Sequence, residues 1–363
     1  MSFDAATQSP PTDTISEARR QVEICNACRY CEGFCDAFPA MFAERVFGEG
    51  DIVQIANLCH NCRGCYYSCQ YTEPHEFALN LPQALADVRV DSWDRYGWPG
   101  GLGALFQRRG VALSAALVAG IALLFLAQAM LTPANGEGFY AVLSHTVMVA
   151  IFLPAFLFPM VVLALGLRAY WRDVGGAPVR WTHLRRAALR AGQLKNLDGG
   201  QGQGCNFEKG DRYSQARRHA HQATFWGFLL CFASTSSATL MHYLLGLEAP
   251  YGLFSLPKLL GVPGGLLLTL GAFGLAGLKL KADPQLGARN AWGGEMAFVL
   301  LLGLTGLTGL ILYAVSGSGA VPAMLALHLG AVLTLFLTTP YSKMAHGFYR
   351  FAALVRDAQQ RQA

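Results

Sequence analysis

The sequence predicts an all-α chain in two parts, a cysteine-rich helical domain followed by a bundle of six membrane-spanning helices. Three observations carry this. Four cysteines recur at one spacing in two runs, six long apolar stretches follow residue 110, and basic residues gather in alternate loops. Of 363 residues, 53% are hydrophobic and 14% charged, against roughly a quarter charged in a soluble domain. Much of the surface must therefore face something other than water. The formal net charge of +5 is modest, and no nucleic-acid partner is expected.

The chain opens on "MSFDAATQSPPTDTISEARRQ", which is polar and has neither an apolar core nor a small-residue cleavage site. Residues 1–12 read as a disordered tail. Without a secretory signal, the cysteines that follow belong in a reducing compartment, where they hold metal in preference to forming disulfides. Residues 13–98 read as one cysteine-rich unit. A helix is expected from Asp13 or Thr14 as cap, with Glu17 in its first turn. Between the cysteine runs, "DAFPAMFAERVFGEGDIVQIANL" has helical spacing and predicts two short helices broken at "GEG". "LPQALADVRVDSWDRYGW" adds another, with Pro82 near its start.

Six stretches near 111–131, 140–167, 222–246, 259–280, 291–315 and 321–345 are long enough to span, since about 20 apolar residues cross the hydrocarbon core. Buried helices of a soluble protein would need polar helices to wrap them, and the chain has none to spare. The loop 168–221 carries eleven Lys and Arg, among them Arg185, Arg186, Arg217 and Arg218. The opposite loops hold one lysine between them, so the basic loops, both termini and the cysteine domain are expected in the cytoplasm. The domain reading is then a cytoplasmic unit over 13–98, a six-span membrane domain over 99–350 and a cytoplasmic tail over 351–363. The location is a bacterial inner membrane.

The two runs are "CNACRYCEGFC", from Cys25 to Cys35, and "CHNCRGCYYSC", from Cys59 to Cys69. Each reads C-x2-C-x2-C-x3-C. Three evenly spaced thiolates bind three corners of a cubane, and in two-cluster ferredoxins the fourth cysteine of each run ligates the other cluster. Transferred here, one [4Fe–4S] cluster takes Cys25, Cys28, Cys31 and Cys69, and the second takes Cys59, Cys62, Cys65 and Cys35. The usual proline after the fourth cysteine is replaced by Asp36 and Gln70, with Pro39 and Pro74 slightly later. Two zinc sites are the alternative, but zinc needs only four ligands and no third evenly spaced cysteine. Cys205 and Cys231 read as ordinary thiols, and His60 and His75 as exposed or bonded to sulfur. "GGQGQGC" at 199–205 lacks the strand and helix of a nucleotide site, so no flavin or nicotinamide domain is expected.

His145, His242 and His328 lie inside predicted spans, with His221 and His346 at cytoplasmic span ends. Several intramembrane histidines at matched depth point to b-type haem held by paired imidazoles. On one continuous helix, the 18 residues from His328 to His346 make about five turns and about 27 Å. The expected pairing is an inner haem between His221 and His346, and an outer one using His328 with His242 or His145, giving one or two haems.

These stretches resemble a family, the tricarballylate/citrate utilization protein B group, which is also similar to the C-terminal half of a flavoprotein of cobalamin biosynthesis. The matching segments are the two cysteine runs, "ARRHAHQATFWGFLLCFAST" at 216–235 and "LHLGAVLTLFLTTPYSKMAHGFYR" at 327–350. The resemblance implies a helical two-[4Fe–4S] ferredoxin-like domain fused to a six-helix cytochrome b like the nitrate reductase subunit. It further implies that the chain reoxidises a separate FAD-dependent tricarballylate dehydrogenase and passes the electrons to membrane quinone. No dehydrogenase site of its own is legible. The alternatives are another organic-acid dehydrogenase or a heterodisulfide-reductase-like enzyme as partner, or a membrane redox sensor.

Overall fold

The computed structural model describes residues 13–35, 37–131, 140, 142–199 and 202–361. The expected tail over 1–12, and Asp36, lie outside the described residues. Among those described, the fold is all-helical apart from two isolated bridges, Cys205 with Ser214 and Glu208 with Ala282.

Helix α1 (Thr14–Cys28) starts where the sequence signals it. The Asp13 carboxylate accepts from the Ser16 backbone N–H at 2.8 Å, and Glu17 sits in the first turn against the helix dipole. Helices α2 (Ala37–Phe42) and α3 (Glu49–Leu58) are separate, but the break falls just before the "GEG" and not within it. The reason is a cap: the Asp51 carboxylate accepts from the Gly48 N–H at 2.9 Å, so Glu49 and Gly50 are already helical. A short α4 (Gly64–Tyr67) and α5 (Leu81–Tyr96, capped by Asn80 with Pro82 in its first turn) complete the domain.

Six helices are long and apolar enough to cross a membrane. They are α6 (Leu102–Leu131), α7 (His145–Asp173), α9 (Ala216–Leu245), α10 (Leu256–Lys281), α11 (Trp292–Ala314) and α12 (Val321–Thr338). Two amphipathic helices join them, α8 (Trp181–Gln193) in the basic loop and α13 (Ala345–Gln360) at the end. α6 starts nine residues before the expected span, its lead-in set off by non-helical backbone at Arg109. The outward faces carry exposed apolar side chains such as Leu123, Leu124, Leu157, Leu165, Leu240 and Leu270, as a lipid-facing surface requires. α9 and α10 pack backbone to backbone. A Cβ at Gly227 would stand 2.4 Å from the Leu268 nitrogen, and one at Gly271 2.5 Å from that of Thr224, the small-residue packing that helices use in lipid.

The last span ends at Thr338, short of the stretch expected over 321–345. The hydroxyls of Thr338 and Thr339 turn back to the carbonyls of Thr334 and Leu335 at 2.8 and 2.7 Å, and Pro340 follows. Proline lacks the N–H to continue the helix. His328 and His346 therefore stand on different helices, and the five-turn register expected between them does not apply.

The cysteine domain and the bundle share one hydrophobic core. Val22, Phe38, Ile52, Ile55 and Leu85 run on through Tyr96 to Leu163, Tyr170, Tyr349 and Val355. Gly50 sits so close to the end of α7 that a Cβ there would lie 2.1 Å from the Asp173 carbonyl oxygen. Residues 351–361 continue α13, which is tied to α8 by the Arg190–Asp357 ion pair.

Candidate functional site

Cys25 and Cys28 close the last turn of α1, and Arg29, in left-handed backbone at φ 57°, turns the chain so that Cys31 follows. Cys69 comes from beyond α4 to meet them. These four sulfurs line a cavity of about 230 Å³ together with Ile24, Phe38, Tyr71 and Leu79. Cys28 is exposed and its three companions half-buried.

Cys59 ends α3, and positive-φ backbone at Asn61 and Arg63 wraps the chain around a second, smaller cavity. It is lined by Cys59, Cys62, Cys65 and Cys35, with His60, Arg63 and Asn196. Each predicted set of four thus meets around one cavity, with the fourth cysteine of each run in the other run's set.

The chemistry of both donor sets fits iron–sulfur ligation. The N–H of Asn61 donates to the Cys59 sulfur at 3.3 Å and that of Tyr71 to Cys69 at 3.4 Å. Those of Ala37 and Phe38 point at Cys35, and that of Gly64 at Cys62. Amide donors of this kind stabilise ligand thiolates and tune clusters. Burial, then the neighbouring sulfurs, pushes Cys25 and Cys31 up to about 12. Burial likewise pushes Cys62 up to about 11, and Cys35 and Cys65 well up. Such thiols give up their protons only to a metal's charge. The sulfurs surround a space and do not converge on a point: among the described residues, no three His, Cys, Asp or Glu are placed to share a single ion.

The two inner histidines lie side by side. His221, in the second turn of α9, and His346, in the first turn of α13, have ring centres 6.1 Å apart at 82°. Two metal–imidazole bonds of about 2 Å, with half a ring at each end, span about that distance. The His346 Nδ1–H donates to the Lys343 carbonyl, which leaves Nε2 as the free lone pair. His221 Nδ1 is buried without a partner among the described residues. Burial, then the Arg350 charge, holds His346 well below the ordinary histidine range, so it stays neutral as a ligand must.

The outer three divide. His145 stacks on His242 with ring centres 4.3 Å apart, flanked by Tyr140 and Tyr243. His328 turns instead to α11, its Nδ1 3.0 Å from the Thr308 hydroxyl, which itself donates to Leu304. Among the described residues, no ring contact joins His328 to His242 or His145.

Sequence reasoning missed the groups between the cysteines and the inner histidines. His60 is buried and bonds the Leu58 carbonyl at 3.2 Å, neither exposed nor on a sulfur. Burial, then the Arg350 charge, holds it well below the ordinary histidine range. Arg350 donates to the carbonyls of Cys59 and Asn57 at 2.6 and 3.1 Å, and Arg217 to that of Asn61 at 2.8 Å. A signal did exist: Arg217 precedes His221 by four residues and Arg350 follows His346 by four, the spacing that puts two side chains on one helix face. Of the two thiols expected to be ordinary, Cys205 is buried in its bridge with Ser214, and Cys231 packs against Gly264.

The family model described as Citrate utilization protein B matches residues 102–363, and that of the Citrate utilization protein B Fer4-like domain matches residues 18–94. No solved structure matches. The chain is 44% identical over 353 residues to Citrate utilization protein B of Escherichia coli, covering 96% of this chain and 93% of that protein. On these matches, which span both parts of the fold, the chain belongs to the Citrate utilization protein B family.

Proposed function

We propose that this chain is the membrane electron-transfer partner of a separate FAD-dependent tricarballylate dehydrogenase. It hands the electrons of the reduced flavin to membrane quinone by way of two [4Fe–4S] clusters and b haem. In balance, the reduced flavin loses two electrons and two protons and a quinone gains them. The clusters and haem supply one-electron relays when bound; the rest is done by the chain's own residues. The observation that carries the reading is the continuity of the Cys59 site with the His221–His346 pair, through Arg350, Arg217 and the buried His60. The name of the Escherichia coli relative, citrate utilization protein, supports a partner that handles a tricarboxylic acid.

In this reading residues 13–98 form the cytoplasmic cluster domain, 99–350 a cytochrome b domain of the bacterial inner membrane, and 351–363 a cytoplasmic tail. Cys25, Cys28, Cys31 and Cys69 hold one cluster, and Cys59, Cys62, Cys65 and Cys35 the other. His221 and His346 hold the inner haem. A second haem near the far face would take His328 with His242 or His145, whose rings stack here with centres 4.3 Å apart, closer than an iron held between those two would allow. The same wiring would serve another organic-acid dehydrogenase or a heterodisulfide-reductase-like partner, and the product of the neighbouring gene decides among them.

The test uses protein purified anaerobically into lipid nanodiscs. Bound b-type haem that quinol reduces, together with cluster reduction by a reduced flavoprotein, is the expected result. Clusters without haem would overturn it and favour a membrane redox sensor.

A further inference from the structure

The two cysteine sites differ in charge. Among the described residues, the cavity of Cys25, Cys28, Cys31 and Cys69 is lined by no charged side chain. Around the other stand four arginines. Arg63 lines the cavity and bonds Asn61 and the Phe207 carbonyl at 2.9 and 3.0 Å. Arg89 and Arg350 both donate to the Cys59 carbonyl at 2.6 Å, and Arg217 donates to that of Asn61. Arg63 and Arg217 also hold Phe207 between them, their guanidinium carbons 4.7 and 4.0 Å from its ring centre. Among the described residues, no carboxylate lies within ion-pair distance of any of the four.

Unpaired cations are costly at Arg63 and Arg89, which are buried, and at the half-buried Arg217 and Arg350, and Arg89, Arg217 and Arg350 turn theirs on carbonyls of the cysteine loop itself. An added electron makes a cluster more negative. Burial alone would disfavour that, whereas guanidiniums held in low dielectric favour it. We infer that Arg63, Arg89, Arg217 and Arg350 make the site of Cys59, Cys62, Cys65 and Cys35 the stronger electron acceptor of the two, fixing a polarity from the exposed Cys28 side toward the inner histidines. The inference rests on the iron–sulfur reading of the preceding section. In the transfer one electron leaves the Cys25-side site, which is oxidised, and enters the Cys59-side site, which is reduced. No bond forms or breaks and no proton moves. The flavin hydroquinone of the partner is the reductant, and the quinone the final oxidant. The four arginines are positioning residues that act on the site through charge.

The experiment is a redox titration of the anaerobically purified holoprotein in nanodiscs, followed by electron paramagnetic resonance without partner or quinone. Cys28→Ser and Cys62→Ser, each removing or converting the cluster of its own set, assign the two signals. The wild-type cluster assigned to the Cys59 side should be reduced first. Arg89→Gln should lower that midpoint and leave the other in place, while Arg89→Lys, which keeps the charge, should restore it. The inference is overturned if the Cys25-side cluster is reduced first. It is equally overturned if Arg89→Gln and Arg350→Gln keep both clusters with both midpoints unmoved. Should Arg89→Gln fail to fold, the order of the wild-type midpoints still decides. Protein without iron–sulfur signals would sink the underlying reading instead.

Discussion

The guanidinium of Arg350 donates to the carbonyl of Cys59 at 2.6 Å from a helix that carries His346 one turn earlier. One side chain therefore links the second cysteine loop to the inner histidine pair. Trp93 of α5 reinforces the joint, its indole N–H donating to Asn57 at 3.1 Å and its ring lying 6.4 Å from that of His346. The cysteine chemistry and the histidine chemistry are built on one piece of structure.

Iron analysis of anaerobic protein should find eight iron atoms per chain beyond haem iron, four for each cluster. Dithionite reduction should produce two interacting paramagnetic signals. Cys28→Ser should remove or convert one cluster, and because Cys69 joins that set from the second run, it should also disturb the spectrum of the other. Stoichiometric zinc without such a spectrum would contradict the assignment.

His346→Ala should leave one imidazole at the inner site and expel its haem or turn it high-spin, seen in the optical and resonance spectra. Cluster reduction by a reduced flavoprotein should persist while quinone reduction falls to near zero. Full haem content with full quinone reductase activity would place the inner ligand elsewhere.

Both ends of the chain should be cytoplasmic. A reporter active only in the periplasm, fused after Ala363, should be silent, and one fused near Ser318, in the turn between α11 and α12, should be active. Reversed activities would invert the depth of every histidine.

Gly271→Leu should loosen the bundle by about 1–3 kcal/mol, the usual cost of overpacking. Its Cβ would meet backbone, the Thr224 nitrogen at 2.5 Å and the Ala220 oxygen at 2.7 Å. Thr224 lies one turn from His221, so thermal unfolding in detergent should come earlier and haem should be lost from the inner site first. Unchanged melting with full haem would show that α9 and α10 have room to part.

Much of this was written plainly in the chain. The repeated cysteine spacing, the Asp13 cap, Pro82 at the head of α5 and six apolar runs need only local rules, because each is set by neighbours within a few residues. What periodicity could not see was the end of α12. The stretch expected to run to 345 stops at Thr338, and Pro340 has no N–H with which to continue it. Nor could it see α8 and α13, whose amphipathic faces have meaning only once the two pack on each other and α13 meets α3 and α7. Arg89 escaped for a similar reason, its carbonyl partners lying about thirty residues away, while Arg217 and Arg350 were signalled only by their four-residue spacing from the inner histidines.

Gly50 carries a consequence for speed. With the Asp173 carbonyl where its missing side chain would be, the first domain is seated on the bundle with no gap to swing through, and Tyr96, Tyr170 and Tyr349 pack across the seam. Delivery cannot then depend on a head that shuttles between donor and acceptor. Turnover between the two halves should be indifferent to the viscosity of the medium, and only the arrival of the outside donor should slow as glycerol is added.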